Sequence, residues 1–187
     1  MFGLSRRNKR VEPDSQRIQG TGDFLMKPES STKLNLRNGQ KGYLGAQAIA
    51  NRLPFSRITQ LNLNSNQIGK QGAQAIANVL PQSKVIHLNL GRNRINHEGA
   101  QAIANALPFS QITQLYLRFN QIGCLGAQAI ANTLPQSQLT GLYLGFNQIG
   151  YEGAQAITNV LPQSKVTKLD LEGNQITMKE SKQRILS

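Results

Sequence analysis

The stretch NQIGKQGAQAIANVLPQS, Asn66 to Ser83, returns with three changes as NQIGCLGAQAIANTLPQS from Asn120. Asn66, Asn93, Asn120, Asn147 and Asn174 are separated by 27 residues each time. A fixed period in the range of about 20–50 residues predicts a stacked array, because one unit cannot bury its own apolar face and needs a neighbour on each side. An array of this kind is elongated instead of spherical. Its function has to be sought in the positions that escape the repetition.

One unit, residues 58–84, shows how the period is spent. Leu61 and Leu63 alternate with Asn62 and Asn64, the pattern of a short strand with one face buried. From Gly72 to Leu80 the periodicity becomes helical: Ala73, Ile76, Ala77 and Leu80 fall on one stripe, and Gln74 and Asn78 point away from it. Pro81 ends the helix, and Gln82, Ser83 and Lys84 return the chain to the next strand. Gly69, Gly123 and Gly150 are expected to relieve the turn after the strand, and Gly72, Gly99, Gly126 and Gly153 the start of the helix. Strands sit about 4.8 Å apart, whereas helix axes need roughly 8–10 Å. The expected fold is therefore an α/β curved solenoid with a concave parallel sheet and convex helices. Each asparagine of the 27-residue column follows its strand by three residues. It must satisfy backbone groups of its turn, because an unpaired buried amide costs about 1–3 kcal/mol.

The pattern carried by Leu61, Leu63, Asn66, Ile68, Gly72, Ala73, Ala75, Ile76, Ala77 and Leu80 resembles the ribonuclease-inhibitor class of leucine-rich repeats. It recurs in register over about residues 31–176. The resemblance implies a curved solenoid with a protein-binding concave face. It also reaches Ran-GTPase-activating proteins, which implies an alternative role as a GTPase activator with Arg92 or Arg94 in a strand-to-helix loop.

Units start at 31, 58, 85, 112 and 139, with a partial unit from 166, and the repeat domain is expected to span 23–187. In the first unit Gly39 replaces the asparagine and Lys41 the isoleucine. Phe24, Leu25, Met26 and Pro28 read as the remnant of a preceding helix end that covers the exposed edge. Residues 1–22 mix charge, Pro, Gly, Ser and Gln and are expected to be disordered. In the last unit Glu180 stands in place of glycine and Arg184 in place of Ile76, so the final helix is a weak cap that favours weak self-association.

The net charge of +12 lies mostly on the repeats, with twelve basic and four acidic residues over 31–174. A basic surface of this kind allows an anionic partner, although nothing marks nucleic acid specifically. Cys124 is the sole cysteine, which rules out an intramolecular disulfide framework and suits a reducing compartment. The N-terminal MFGLSRRNKRVEPD lacks the apolar run of a secretory signal, and no stretch reaches the length of apolar residues that a spanning helix needs. The expected setting is a cytoplasm, that of the producing cell or of a host.

Outward strand positions are the least constrained by packing. One column runs Asn35, Asn62, Asn89, Tyr116, Tyr143, Asp170; the next runs Arg37, Asn64, Gly91, Arg118, Gly145, Glu172; the one before runs Lys33, Gln60, His87, Gln114, Gly141, Lys168. The N-terminal half is thus amide-rich and basic, the middle aromatic, and the end acidic. Tyr and Arg are favoured at binding hot spots. Tyr116, Arg118 and Tyr143 are therefore expected to centre a protein-binding patch, with His87 and Asn89 beside it and Asp170 and Glu172 selecting a basic complement. The bland reading is that tyrosine is an ordinary outward strand residue. Phe119 and Phe146 are expected to pack within the turn.

No cofactor or metal is expected. The two histidines, His87 and His97, fall on different sides of a unit, and strand spacing puts Asp170 and Glu172 roughly 15 Å from His87. Phosphate-loop glycine patterns are absent. His97 and Cys124, with Lys70 and Tyr151, align at a tolerant loop position. The function that these residues support is non-enzymatic recognition of another protein.

Overall fold

The computed structural model describes residues 32–177. The strands are three residues long: β1 Lys33–Asn35, β2 Gln60–Asn62, β3 His87–Asn89, β4 Gln114–Tyr116, β5 Gly141–Tyr143 and β6 Lys168–Asp170. They form one parallel sheet in chain order, with Leu34, Leu61, Leu88, Leu115, Leu142 and Leu169 in line across it. Five helices alternate with them: α1 Gly42–Arg52, α2 Gly69–Val79, α3 His97–Ala106, α4 Gly123–Thr133 and α5 Gly150–Val160. The result is a curved α/β solenoid, sheet inside and helices outside, and each helix packs mainly on the helices of the adjacent units.

The core is the repeat pattern made solid. Leu61, Leu63, Ile68, Ile76 and Leu80 are at most 1% exposed, as are their equivalents in the third and fourth units. Each side chain of this kind contributes about 1.5–3 kcal/mol on leaving water. The asparagine column forms the expected hydrogen-bonded ladder. Asn93 Nδ2 donates to the carbonyls of Leu63 and Gly91, while its Oδ1 accepts from the backbone N–H of Asn66 at 2.9 Å and of Ile68 at 3.4 Å. The residues that flank the asparagine, such as Arg92 and Arg94, sit at positive φ near 55–58°, so the side chain turns inward while the chain bends around it.

Three local expectations change. Four of the helices start a full turn earlier than the apolar stripe suggests, at residues equivalent to Gly69, where φ is +64° and the N–H donates to Asn93 O. In the third unit Asn96 replaces that glycine and caps α3 by accepting from Gly99 N at 3.1 Å. Gly72 and its equivalents therefore lie inside the helix, and crowding explains them: a Cβ on Gly72 would stand 2.3 Å from Ile68 Cγ2 and 3.0 Å from Ala46 Cβ of the preceding helix. Lys70, His97, Cys124 and Tyr151 likewise belong to the first helical turn, not to a loop.

A second buried polar column runs through Ser56, Ser83, Ser110 and Ser137. Each helix ends in a one-turn 3₁₀ segment that holds the proline, such as Leu80–Gln82, and the serine after it closes the segment. Ser83 Oγ donates to Leu80 O at 3.0 Å and accepts from Val85 N at 3.4 Å. The serine repeats in every unit, and that recurrence is the sequence signal for its role. The expectations for residues 1–22, the Phe24–Pro28 remnant and the Glu180–Arg184 cap lie outside the described residues.

Candidate functional site

The register of the sheet places the outward columns side by side along the concave face. Asn35, Asn62 and Asn89 stand opposite one another in turn, followed by Tyr116, Tyr143 and Asp170. Each amide has one end committed. Asn35, Asn62 and Asn89 accept through Oδ1 from the backbone N–H two residues on, at 3.3, 3.0 and 3.0 Å. That bond fixes which end of each amide is oxygen, and it leaves the Nδ2 donors facing away from the strand. Asp170 makes the same bond, accepting from Glu172 N at 3.0 Å.

In the middle, Tyr116 and Tyr143 stack with ring centroids 4.3 Å apart and planes within 5°. Burial, then the neighbouring Tyr143 phenol, pushes the Tyr116 phenol above the usual tyrosine range. Arg118 does not reach into the concave space unpartnered. Its guanidinium spans the fifth unit to bond Asp170 Oδ2 at 2.6 Å and Glu172 Oε2 at 2.8 Å. The hydrogen bond to Glu172, with the charges of both carboxylates, raises the guanidinium above its already high range. Gly145 makes the span feasible: a Cβ there would lie 3.1 Å from both Arg118 Nε and Asp170 Oδ2. The structure thus couples Arg118, Asp170 and Glu172 to one another, in a cluster with one positive and two negative charges. The sequence holds a sign of this, since Arg118 and Glu172 differ by two full periods with glycine between them.

Beside the asparagine ladder a second aromatic pair lies in the loops. Phe119 and Phe146 stack at 4.5 Å and remain 39% and 38% exposed, so the turn seats them without burying them. The Arg92 guanidinium lies 4.1 Å from the Phe119 ring centroid, a cation–π pair. Arg92, Arg94, Phe119 and Phe146 line a shallow hollow of about 390 Å³. A groove of about 340 Å³ occupies the N-terminal half of the sheet, lined by Asn35, Asn62, His87, Asn89 and Tyr116 among others. His87 and Asn89 therefore share a surface with Tyr116, whereas Asp170 and Glu172 lie beyond Tyr143.

Charge is distributed unevenly along the array. From residue 30 to residue 97 there is no Asp or Glu, against Lys33, Arg37, Lys41, Arg52, Arg57, Lys70, Lys84, Arg92 and Arg94. Among these, Lys70 is paired across the convex side with Glu98 at 2.6 Å, and that bond lowers the Glu98 carboxyl. Cys124 sits against Glu152, and burial followed by that charge raises its thiol, the opposite of an activated nucleophile. Among the described residues no three His, Cys, Asp or Glu side chains gather as a metal-ion site, and no helix is long and apolar enough to cross a membrane.

A model described as "Leucine Rich repeat" matches residues 58–77, 82–104, 112–131, 138–157 and 163–178. The chain belongs to the leucine-rich repeat family. Its fold is also similar to a solved structure of the leiomodin-1 actin-binding site 2, with a TM-score of 0.62 and 22% identity over 79% of this chain and 87% of that one. No curated protein matches this leucine-rich repeat chain significantly.

Proposed function

We propose that this leucine-rich repeat chain is a non-enzymatic protein-recognition module that works through the concave face of its sheet, with the repeat domain spanning 23–187. The observation that carries this is the Tyr116–Tyr143 stack, a large preordered aromatic surface set outside the core on the inner face. Rigid aromatics lose little conformational entropy on binding, which favours them as anchors. Tyr116, Tyr143 and Arg118 form the centre, His87 and Asn89 extend it toward the groove, and Asp170 and Glu172 hold Arg118 flat across it. The repeat subclass proposed is the ribonuclease-inhibitor class, on the strength of the helix in each of the five complete units and the Asn-x-Ile ladder. A cytoplasm, the producing cell's or a host's, suits the lone thiol of Cys124.

Affinity capture with the intact chain and with Tyr116→Ala/Tyr143→Ala tests this reading. The matched region of leiomodin-1 is an actin-binding site, so filamentous actin is included as one bait. Loss of a partner by the double variant, with unchanged thermal stability, is the expected result. Equal recovery of every partner by both proteins would overturn it. Acceleration of GTP hydrolysis lost in Arg94→Ala would instead select the GTPase-activator alternative.

A further inference from the structure

We infer that the N-terminal half of the concave face binds an acidic, extended segment of a partner protein, in the groove floored by Asn35, Asn62 and Asn89 and closed at one end by Tyr116. This rests on the proposed role in protein recognition and names the chemistry of the partner.

Because the three Oδ1 atoms are held by backbone N–H groups, each asparagine offers its Nδ2 as a pure donor. Neighbouring strands are about 4.8 Å apart, so the donors form a line across β1, β2 and β3. None of the three Nδ2 groups meets an acceptor among the described residues. Such a row complements a ligand rich in acceptors, namely carboxylates and backbone carbonyls. The charge around it has the same sense. Arg37 adjoins the row, exposed and in no ion pair among the described residues. No acidic residue occurs between residues 30 and 97.

The same face carries the contrast. Where the column reaches Asp170, the donor is replaced by a carboxylate that keeps the identical turn bond. Arg118 offsets one of the two charges at that end, so the acidic strand repels an acidic ligand at less than full strength. At the centre, the Tyr116 ring is backed by Tyr143, which fixes it as a wall of the groove.

A peptide fits better than nucleic acid. Backbone-tracking nucleic-acid sites rely on a dense line of cations and on aromatic faces open to bases. Here Arg92 is placed on Phe119, Arg118 on two carboxylates, and the tyrosines on each other.

Asp170 also supplies the test, because aspartate at this column preserves the turn. Asn62→Asp/Asn89→Asp removes donors while keeping the acceptor that the strand end needs. A fluorescein-labelled peptide of alternating glutamate and serine, its glutamine twin and a labelled oligothymidylate would be titrated onto the full chain by anisotropy. Tighter binding of the glutamate peptide than of its twin by tenfold or more supports the inference. So does a loss of tenfold or more in Asn62→Asp/Asn89→Asp with melting temperature retained. Arg37→Gln is expected to weaken the peptide severalfold, and serves if the double variant does not fold. Glutamate-peptide binding indifferent to all three substitutions overturns the groove. Preferential, steeply salt-dependent binding of the oligonucleotide overturns the peptide, and self-association lost in the same variants without peptide binding overturns it in favour of a second copy. If neither peptide binds while Tyr116→Ala/Tyr143→Ala still abolishes partner capture, the inference fails and the protein-recognition reading survives.

Discussion

At the scale of one residue, two polar side chains of similar sequence appearance do different work. Asn93 is fully buried, and its oxygen is the acceptor found for the N–H groups of Asn66 and Ile68. Its own donors go to carbonyls that keep a second partner, since Leu63 O also accepts from Asn66 and Gly91 O from Ser65 N. Asn93→Ala therefore orphans two buried donors and is expected to cost about 3 kcal/mol, read from chemical denaturation. Asn62, on the concave face, is half-buried and holds one turn bond, so Asn62→Ala should stay within about 1 kcal/mol of the parent. The ladder role was legible because the period singles the column out. The outward asparagines repeat less strictly, and their donor orientation follows only from the bond to residue 64 or 91. Tyr116 offers a titration at the same scale. Its phenol pKa is raised in the folded protein, so the folded state holds that proton more tightly than the unfolded chain. Stability from this source is complete below the ordinary tyrosine pKa and is lost as pH rises through the raised value. The ultraviolet phenolate signal that disappears in Tyr116→Phe should accordingly titrate above the usual tyrosine range; titration within that range would contradict the stacked, half-buried placement.

At the scale of an element, glycine is where packing and propensity disagree. Alanine is favoured over glycine inside a helix by about 1 kcal/mol. Gly72 nevertheless sits in the first turns of α2, because a Cβ there would collide with Ile68 and crowd Ala46 of the neighbouring helix. Overpacking of this kind costs about 1–3 kcal/mol. Gly72→Ala is expected to lower the melting temperature, whereas an exposed helix substitution such as Gln74→Ala should leave it nearly unchanged. The helical stripe from Ala73 to Leu80 could be read from spacing. The preceding turn could not, since Gly69, Lys70 and Gln71 carry no apolar period and their helical state depends on the bond from Gly69 N to Asn93 O in the next unit. The same limit applies on the sheet. Columns and register followed from the 27-residue period, but not the path of the Arg118 side chain across β5, which depends on Gly145 and on carboxylates two units away. A double-mutant cycle on Arg118 and Asp170 should give a coupling of roughly 1 kcal/mol that shrinks at high salt, as suits a pair that is partly solvated.

At the scale of the molecule, stability propagates through neighbours. Among the described residues helices pack mainly on adjacent helices and strands pair with adjacent strands, so a unit in the middle has described neighbours on two sides and the first described unit on one. Leu34 and Leu115 occupy the same column, in β1 and β4, and are 1% and 0% exposed. Truncating either to alanine removes the same atoms and should cost about 2–5 kcal/mol locally. The global consequences should differ. Leu34→Ala weakens the one strand interface that β1 makes among the described residues, with β2, and amide hydrogen exchange should lose protection chiefly within β1 and α1. Leu115→Ala weakens both interfaces of β4 at once. Protection should then fall on either side of it, through β3 and β5, and the unfolding transition should broaden as the two halves lose their coupling. An equal, uniform loss of protection in both variants would mean that the array unfolds as one cooperative block. Nearest-neighbour support would then be too weak a description of how this chain holds together.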